Sequence, residues 1–149
     1  MTLRWVLASL HLLALPLGVA AVWARARALR GPLEGAGLRR AFAADALWGL
    51  AAVIWILTGA WRAFSGLEKG AAYYLQNPLF HAKLGLLGLI LALEIWPMAA
   101  LIRWRLQHRR GQPVDTSHAR TFARISEVQI VLVVLMVLAA TAIARGLGT

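Results

Sequence analysis

The sequence contains no cysteine, and only six of its 149 residues are acidic. Without cysteine the chain cannot form disulfides, thiolate zinc or iron–sulfur sites, or a covalent haem attached through a C-x-x-C-H motif. A metal or a haem would therefore have to be held by histidine, lysine, methionine or carboxylate side chains. Low-complexity segments and clear internal repeats are also missing, which predicts one domain over residues 1–149.

Apolar residues, in contrast, are in excess. They make up 60% of the chain, and its mean hydropathy is +0.67. A soluble domain of this size has no interior large enough to bury so much apolar surface. The excess lies in four long runs, and about 20 helical residues cross the hydrocarbon core of a bilayer. We therefore predict an all-α, integral membrane four-helix bundle in contact with the lipid bilayer. The predicted spans are 5–24, 45–62, 79–102 and 125–144.

Basic residues are concentrated beside the ends of these runs. The chain has 16 Lys and Arg against six Asp and Glu, a net charge of +10. Eleven of the basic residues lie in or beside the first and third connections, against four on the other side: Arg4, Arg62, Lys69 and Arg145. The positive-inside rule then places both termini outside, in the periplasm of a bacterium with its inner membrane as the location. The same clustering explains the charge without nucleic-acid binding.

Two histidines are predicted to lie at similar depth near the outer surface. His11 follows the start of the first run by six residues, and His81 and Lys83 lie just inside the third run. Two imidazoles at one depth on separate helices are an arrangement that suits non-covalent binding of haem b. Each residue also has a structural interpretation, since His11 could bond a backbone carbonyl and Lys83 could extend toward the surface.

Three further charged residues belong to the opposite half of the bundle. Glu94 lies deep in the third run and is expected to face the interior and to pair with a donor, because a charge facing lipid costs at least ~2.5–3.5 kcal/mol. Arg124 and Glu127 are spaced i, i+3 and can form an ion pair on one helix. Asp45 is expected to open the second helix.

Two local patterns complete the predictions. The cluster Asp115-Thr116-Ser117 is typical of a helix N-cap and predicts the start of the fourth helix. Trp55 and Arg62 belong to a heptad-spaced stripe on the second helix, which is typical of packing and would also suit a flat aromatic ligand.

The segments LHLLAL, LEKGAAYYLQNPLFHAK, LEIWPM and FARISEVQ resemble, over nearly the whole chain, a group of uncharacterised bacterial four-helix membrane proteins. More distantly, the chain resembles the HemJ-type membrane protoporphyrinogen oxidases and the CopD-type membrane domains. His11 matches a first-helix histidine of HemJ, and His81-Ala82-Lys83 matches its H-x-K motif. Arg124 and Glu127 match part of its last-helix motif, but Ser126 and Gln129 replace the asparagine and the proline.

The resemblance implies a haem-b protein in porphyrin oxidation or membrane electron transfer, with a quinone or a respiratory-chain protein as electron acceptor. In this hypothesis His11 and His81 bind iron, with Arg62 and Trp55 at the cofactor. The residues that would serve catalysis are Lys83, Glu94, Arg124 and Glu127. A CopD-like transport or resistance module and a non-catalytic structural or regulatory subunit are the alternatives. Whether the chain forms a homo-oligomer stays open.

Overall fold

A computed structural model describes residues 2–65 and 70–147, and every long element within these ranges is helical. The helices are α1 (Thr2–Arg30), α2 (Ala36–Phe64), the short α3 (Ala71–Gln76), α4 (Pro78–Arg109) and α5 (Ala119–Ala144). Four of them, α1, α2, α4 and α5, are long and apolar enough to cross a membrane. The predicted all-α four-helix membrane fold is therefore confirmed. Lys69, which entered the charge count, lies outside the described residues.

The helices continue well beyond the predicted spans. Helix α1 runs six residues past position 24, so Arg25 belongs to the helix and not to a connection. Helix α2 begins at Ala36, nine residues before Asp45, so the expectation that Asp45 opens α2 is wrong. Helix α4 passes through Pro97 without ending. Extended helices bring charged residues of both flanks into the packed part of the bundle.

The start of α5 also differs from the prediction. The residue at its N-cap is His118, which makes no capping bond through its side chain. Asp115 instead accepts a hydrogen bond from the backbone N–H of Ser117 at 3.0 Å, a local turn just before the helix. A real cap is found at α4, where the Asn77 side chain accepts from the N–H of Leu79 at 2.9 Å and Pro78 opens the helix.

The packing of the long helices determines which side chains can meet. Helix α1 packs against α2 and α5, and α4 packs against α5, whereas α2 and α4 have little contact. Helices α1 and α4 thus lie diagonally across the bundle. Successive spans run in opposite directions, which places connections 31–35 and 110–118 at one end. We call this arginine-rich end the basic end, and the end that carries His11 and His81 the histidine end. The side of the membrane that each end faces stays a prediction.

Most large apolar side chains point outward, as lipid contact requires. Trp5 is 70% exposed, Leu13 67% and Leu138 59%. The interior contains two larger apolar clusters. One lies at the basic end around Leu101, Trp104 and Phe122, and the other lies at mid-depth around Trp48 and Met136. The largely buried charged residues Arg25, Asp45 and Glu94 lie between these two clusters.

Candidate functional site

The most deeply buried charged residue is Arg25 of α1, which has no exposed surface. It lies five residues before the end of α1, about 8 Å along the axis at 1.5 Å per residue. All three guanidinium nitrogens donate hydrogen bonds to side chains of the other three long helices. Since a guanidinium has five N–H groups, five bonds use its full donor capacity. We call the residues joined in this way the Arg25 network. They are Arg25, Asp45, Glu94, Arg105, Ser126 and Gln129.

Glu94 of α4 receives the closest of these bonds. Its Oε1 accepts from Arg25 Nη1 at 2.6 Å and its Oε2 from Arg25 Nη2 at 2.9 Å. This two-pronged geometry is the strong form of an arginine–carboxylate pair. It links α1 to the diagonally placed α4, which no backbone contact joins. The prediction that Glu94 faces the bundle interior and pairs with a donor is therefore confirmed.

Helix α5 contributes two polar side chains that are both fully buried, Ser126 and Gln129. Ser126 Oγ accepts from Arg25 Nε at 3.0 Å and donates to the carbonyl of Phe122 at 2.9 Å. Gln129 Oε1 accepts from Arg25 Nη2 at 2.8 Å, while its Nε2 donates to Glu94 Oε2 at 2.7 Å. Both side chains of α5 thus bond Arg25.

Asp45 of α2 joins the network to the partly open side of the bundle. Its Oδ1 accepts from Arg25 Nη1 at 2.9 Å, and its Oδ2 lies 3.4 Å from Nη2 of Arg105. The Arg105 side chain is 30% exposed and also donates to the carbonyl of Phe42 at 3.0 Å. Asp45 and Arg105 therefore bridge α2 and α4, the neighbouring long helices with the least contact.

The buried polar atoms of the network all have hydrogen-bond partners, and its charged groups lie close together. No buried side-chain nitrogen or oxygen in residues 2–65 and 70–147 is without a hydrogen-bond partner. The network brings two arginines together with two carboxylates, and the longest of its ion pairs joins Arg105 to Asp45 at 3.4 Å. The arrangement can thus lock four helices together, and it can also hold a proton.

Sequence reasoning assigned Arg25 to a connection and missed its role. A signal was present, because Ala14, Gly18, Ala21 and Arg25 recur at helical spacing and form one buried stripe of α1. An arginine on a stripe of small residues has room for its long side chain. Asp45, Ser126 and Gln129 were also outside the predicted site, although intramembrane carboxylates require a nearby cation.

The predicted pairing of Arg124 with Glu127 is not what the structure shows. Glu127 instead accepts two hydrogen bonds from Arg30 of α1, at 2.8 Å from Nε and 2.7 Å from Nη2. Both side chains of this pair are more than 40% exposed, and Arg124 is exposed on the same turn of α5. The extension of α1 to Arg30 explains the change of partner. These residues lie on the surface of the basic end, away from the buried network.

At the histidine end, His11 of α1 is bound to α2. Its Nδ1 lies 2.9 Å from Thr58 Oγ1 and 3.1 Å from the carbonyl oxygen of Trp55. Because a carbonyl only accepts, a hydrogen bond to Trp55 requires the tautomer with its proton on Nδ1. The imidazole stacks on the Trp55 ring, with centroids 5.7 Å apart. A Cβ at Gly59 would come within 3.0 Å of His11 Cε1, so this glycine makes room for the imidazole.

The second predicted ligand, His81, has a different environment. It is exposed at the start of α4, and its Nε2 donates to the carbonyl of Leu75 in α3 at 2.8 Å. Lys83 and Arg62 are both half-buried at this end of the bundle. The two histidines thus have separate hydrogen-bond partners, on α2 and on α3. Their joint binding of iron stays a prediction.

A haem group does not fit the interior beside His11 as it stands. The hollow there has a volume of about 10 Å³, room for about one water molecule. Trp48, Trp55 and small residues of α1 and α2 line it. Within the described ranges, no three His, Asp or Glu side chains form a group able to hold a metal ion. A haem held by His11 would require α1 and α2 to separate.

The fold and the site define a multi-pass membrane protein whose four helices are joined by a buried ionic network. The chain belongs to the predicted membrane protein family DUF2214, whose model matches residues 3–148. No curated protein and no solved structure matches it. The resemblance to an uncharacterised membrane family is confirmed. The HemJ and CopD resemblances are not shown by these comparisons.

Proposed function

We propose that this protein handles protons inside a bacterial inner membrane, with Asp45 and Glu94 as the proton-carrying groups and Arg25 as their fixed counter-charge. One observation carries the proposal. Both carboxylates bond the same nitrogen of one buried guanidinium, Nη1 of Arg25, at 2.9 and 2.6 Å. Two carboxylates that share one guanidinium are coupled through it, so the pair can take up and release a proton as one site.

The surroundings of the pair support a site that exchanges a proton and keeps its shape. Arg25 approaches from α1, Arg105 from α4, and Ser126 and Gln129 from α5. Gln129 donates to Glu94 and also bonds the carbonyl of Ile90 at 3.2 Å, which holds the carboxylate in place whatever its charge. Ionisable groups inside a membrane are costly, and in membrane proteins they commonly mark proton or ion pathways.

In this proposal the site is reached from the basic end. The Asp45 side chain is 9% exposed and that of Glu94 15%, while Arg25 between them has no exposure. Asp45 contacts Arg105, whose partly exposed side chain lies on the loosely packed side between α2 and α4. In the proposed topology the basic end faces the cytoplasm, so that protons enter from the cytoplasm through Asp45.

Infrared spectroscopy of the protein in nanodiscs tests the proposal directly, because a protonated carboxyl group has a carbonyl stretch that a carboxylate lacks. We expect the wild type to show one buried protonated carboxyl over part of the pH range in which it is folded. The signal should disappear in Glu94→Gln and in Asp45→Asn. Each variant keeps a polar side chain of the same size and leaves Arg25 with one carboxylate, so folding should be retained.

Glu127→Gln is the matched control, since it removes an exposed carboxylate on α5 that also bonds an arginine. Its spectrum should retain the buried carboxyl signal. A wild-type protein in which all carboxyl groups stay ionised at every pH compatible with the fold would contradict proton handling. The Arg25 network would then be a structural lock, which corresponds to the non-catalytic subunit hypothesis.

Binding of haem b at the histidine end is a second proposal, and the orientation of His11 favours it. An Nδ1–H that donates to a backbone carbonyl and a hydroxyl fixes the imidazole in the tautomer whose Nε2 can bind a metal. His81 would have to give up its bond to Leu75 to offer Nε2. Haem binding would also require α1 and α2 to separate beside the small hollow near His11. A quinone or a respiratory-chain protein would be the partner for electrons in this proposal.

The absorbance spectrum of protein purified from haem-supplemented cells tests this second proposal. A Soret band that is lost or shifted in His11→Ala and in His81→Ala would support it. Loss of the Soret band in His11→Ala alone would indicate that His11 is the single iron ligand, in keeping with its packing against Trp55 and the exposure of His81. A colourless wild type would exclude haem binding and would leave the proton-handling proposal intact.

A further inference from the structure

A groove of about 700 Å³ lies on the outer face of the α1–α2 pair near the basic end. Its position is separate from the Arg25 network, since residues of α4 and α5 take no part in it. The volume lies within the usual range for small-molecule sites. The residues that determine its chemistry are Trp23, Ala24 and Arg27 of α1, and Arg40, Ala43 and Leu47 of α2.

The groove changes from charged to apolar along the helix axes. Arg27 lies three residues before the end of α1, and Arg40 lies four residues after the start of α2, so both are at the basic end. Toward the middle of the membrane, alanines form the floor as far as Ala20 and Leu47. Ala20 is ten residues from the end of α1, about 15 Å at 1.5 Å per residue. This polarity gradient follows the membrane normal.

The two arginines are available for an anion. In the described part of the chain, the ion pairs of the basic end use Arg25, Arg30 and Arg105, and none of them includes Arg27 or Arg40. The Arg27 guanidinium instead lies 5.6 Å from the centre of the Trp23 ring, a cation–π contact that holds it over the groove. Arginine is well suited to bind phosphate groups in this position.

We propose that the groove binds one anionic phospholipid of the bilayer, with its phosphate between Arg27 and Arg40 and an acyl chain along the alanine floor. A phospholipid matches this gradient, because its anionic headgroup lies at the membrane surface, level with the arginines, and its apolar tail lies below, level with the alanines. Basic pockets between membrane helices on the cytoplasmic side commonly bind such headgroups. Exposed Trp23 forms one wall at the interface, where tryptophan is favoured.

Native mass spectrometry of the detergent-purified protein, titrated with phosphatidylglycerol or with phosphatidylcholine of the same acyl chains, tests the site. We expect one phosphatidylglycerol to be retained in preference to phosphatidylcholine. Arg27→Gln/Arg40→Gln should weaken this binding on the order of tenfold. The matched control is Arg39→Gln/Arg120→Gln, which removes the same charge from exposed arginines of the basic end outside the groove and should leave the binding nearly unchanged.

A second variant tests the apolar part without altering the charge. Ala24 and Ala43 are exposed on the groove, so Ala24→Phe/Ala43→Phe fills it without touching the core. This variant should also lose phosphatidylglycerol binding. Equal binding of both lipids, equal loss in the two arginine pairs, or unchanged binding after filling would each overturn the proposal. A change of oligomeric state on filling, with lipid binding intact, would show that a second copy of the chain occupies the groove. None of these results depends on proton handling by Asp45 and Glu94.

Discussion

The two ends of the bundle solve the problem of polar residues in a membrane in different ways. Near the basic end, Arg25 bonds side chains of all three other long helices and has no exposed surface. Near the histidine end, the His11 side chain bonds α2, and His81 is exposed beside α3. A charge must be paired wherever it is buried, whereas a neutral imidazole needs only one good acceptor. The ionic end should therefore dominate stability, and the histidine end should be the more adaptable.

The comparison predicts that Arg25→Leu has the largest effect of any single substitution. It leaves Asp45 and Glu94 buried without their cation, and breaking a buried ion pair from one side costs about 3–5 kcal/mol. Unfolding of the micelle-bound protein, followed by circular dichroism, measures the change. Arg39→Leu is the matched control at the same end of the bundle, where an exposed site outside the network and the groove should change stability by less than about 0.5 kcal/mol.

Replacing all three buried charged residues together should restore much of the stability that Arg25→Leu loses. The triple variant Arg25→Leu/Asp45→Asn/Glu94→Leu leaves no buried charge, and apolar replacement of a buried ionic cluster is often close to neutral. The same unfolding measurement applies. If Arg25→Leu proved as stable as the Arg39→Leu control, the network would not be the main link between the helices, and the contrast between the two ends would not hold.

A smaller effect is expected at the histidine end from Gly59→Ala. The added Cβ would approach His11 Cε1 to 3.0 Å, and overpacking of this kind costs about 1–3 kcal/mol. In a His11→Ala background the same substitution should cost little, because the imidazole is gone. Gly49→Ala is the control in the same helix, where a Cβ meets nothing within 4 Å. Equal effects of Gly59→Ala in both backgrounds would show that His11 does not fill this space.

The exposed ion pair of the basic end should matter less than either buried site. Glu127→Gln removes the partner of Arg30, but both side chains are exposed, and exposed pairs add little to stability. We expect no measurable change in the unfolding midpoint at physiological salt. Arg30→Gln should behave in the same way. A clear destabilisation in either variant would mean that this pair, and not only Arg25, fastens α1 to α5.

The smallest effect concerns the connection 110–118. The backbone N–H of Ser117, followed by the Ser117 side chain and the charge of His118, holds the pKa of Asp115 below its usual value. A group whose pKa is lowered in the folded state contributes to the free energy of unfolding. This contribution is present above the unfolded pKa and is lost as the pH falls through the folded pKa. Asp115→Asn should remove only this acid-sensitive contribution to stability. Comparing the unfolding midpoints of wild type and variant at neutral and at acidic pH measures it.

Much of the architecture could be predicted from the sequence, because it depends on local composition. Four apolar runs of membrane length required four helices, and Pro97 could be accepted inside α4 because helical interruptions are tolerated in membranes. The inward direction of Glu94 could also be predicted, from the cost of a lipid-facing charge. The partners of the charged residues could not be predicted, because these pairings depend on contacts between helices that are far apart in the chain.

The sequence by itself determined that this is a four-helix membrane protein with its positive charge at one end, because hydropathy and charge act residue by residue. Only the tertiary structure decided that Arg25 is an interior residue. Arg25, Arg27 and Arg30 look alike in the sequence, three arginines near the end of one helix. The rotation of α1 turns the first toward Glu94, the second toward Trp23 and the third toward Glu127. A helix turns by about 100° per residue, so each of them faces a different neighbour, and the packing of the other helices gives each its environment.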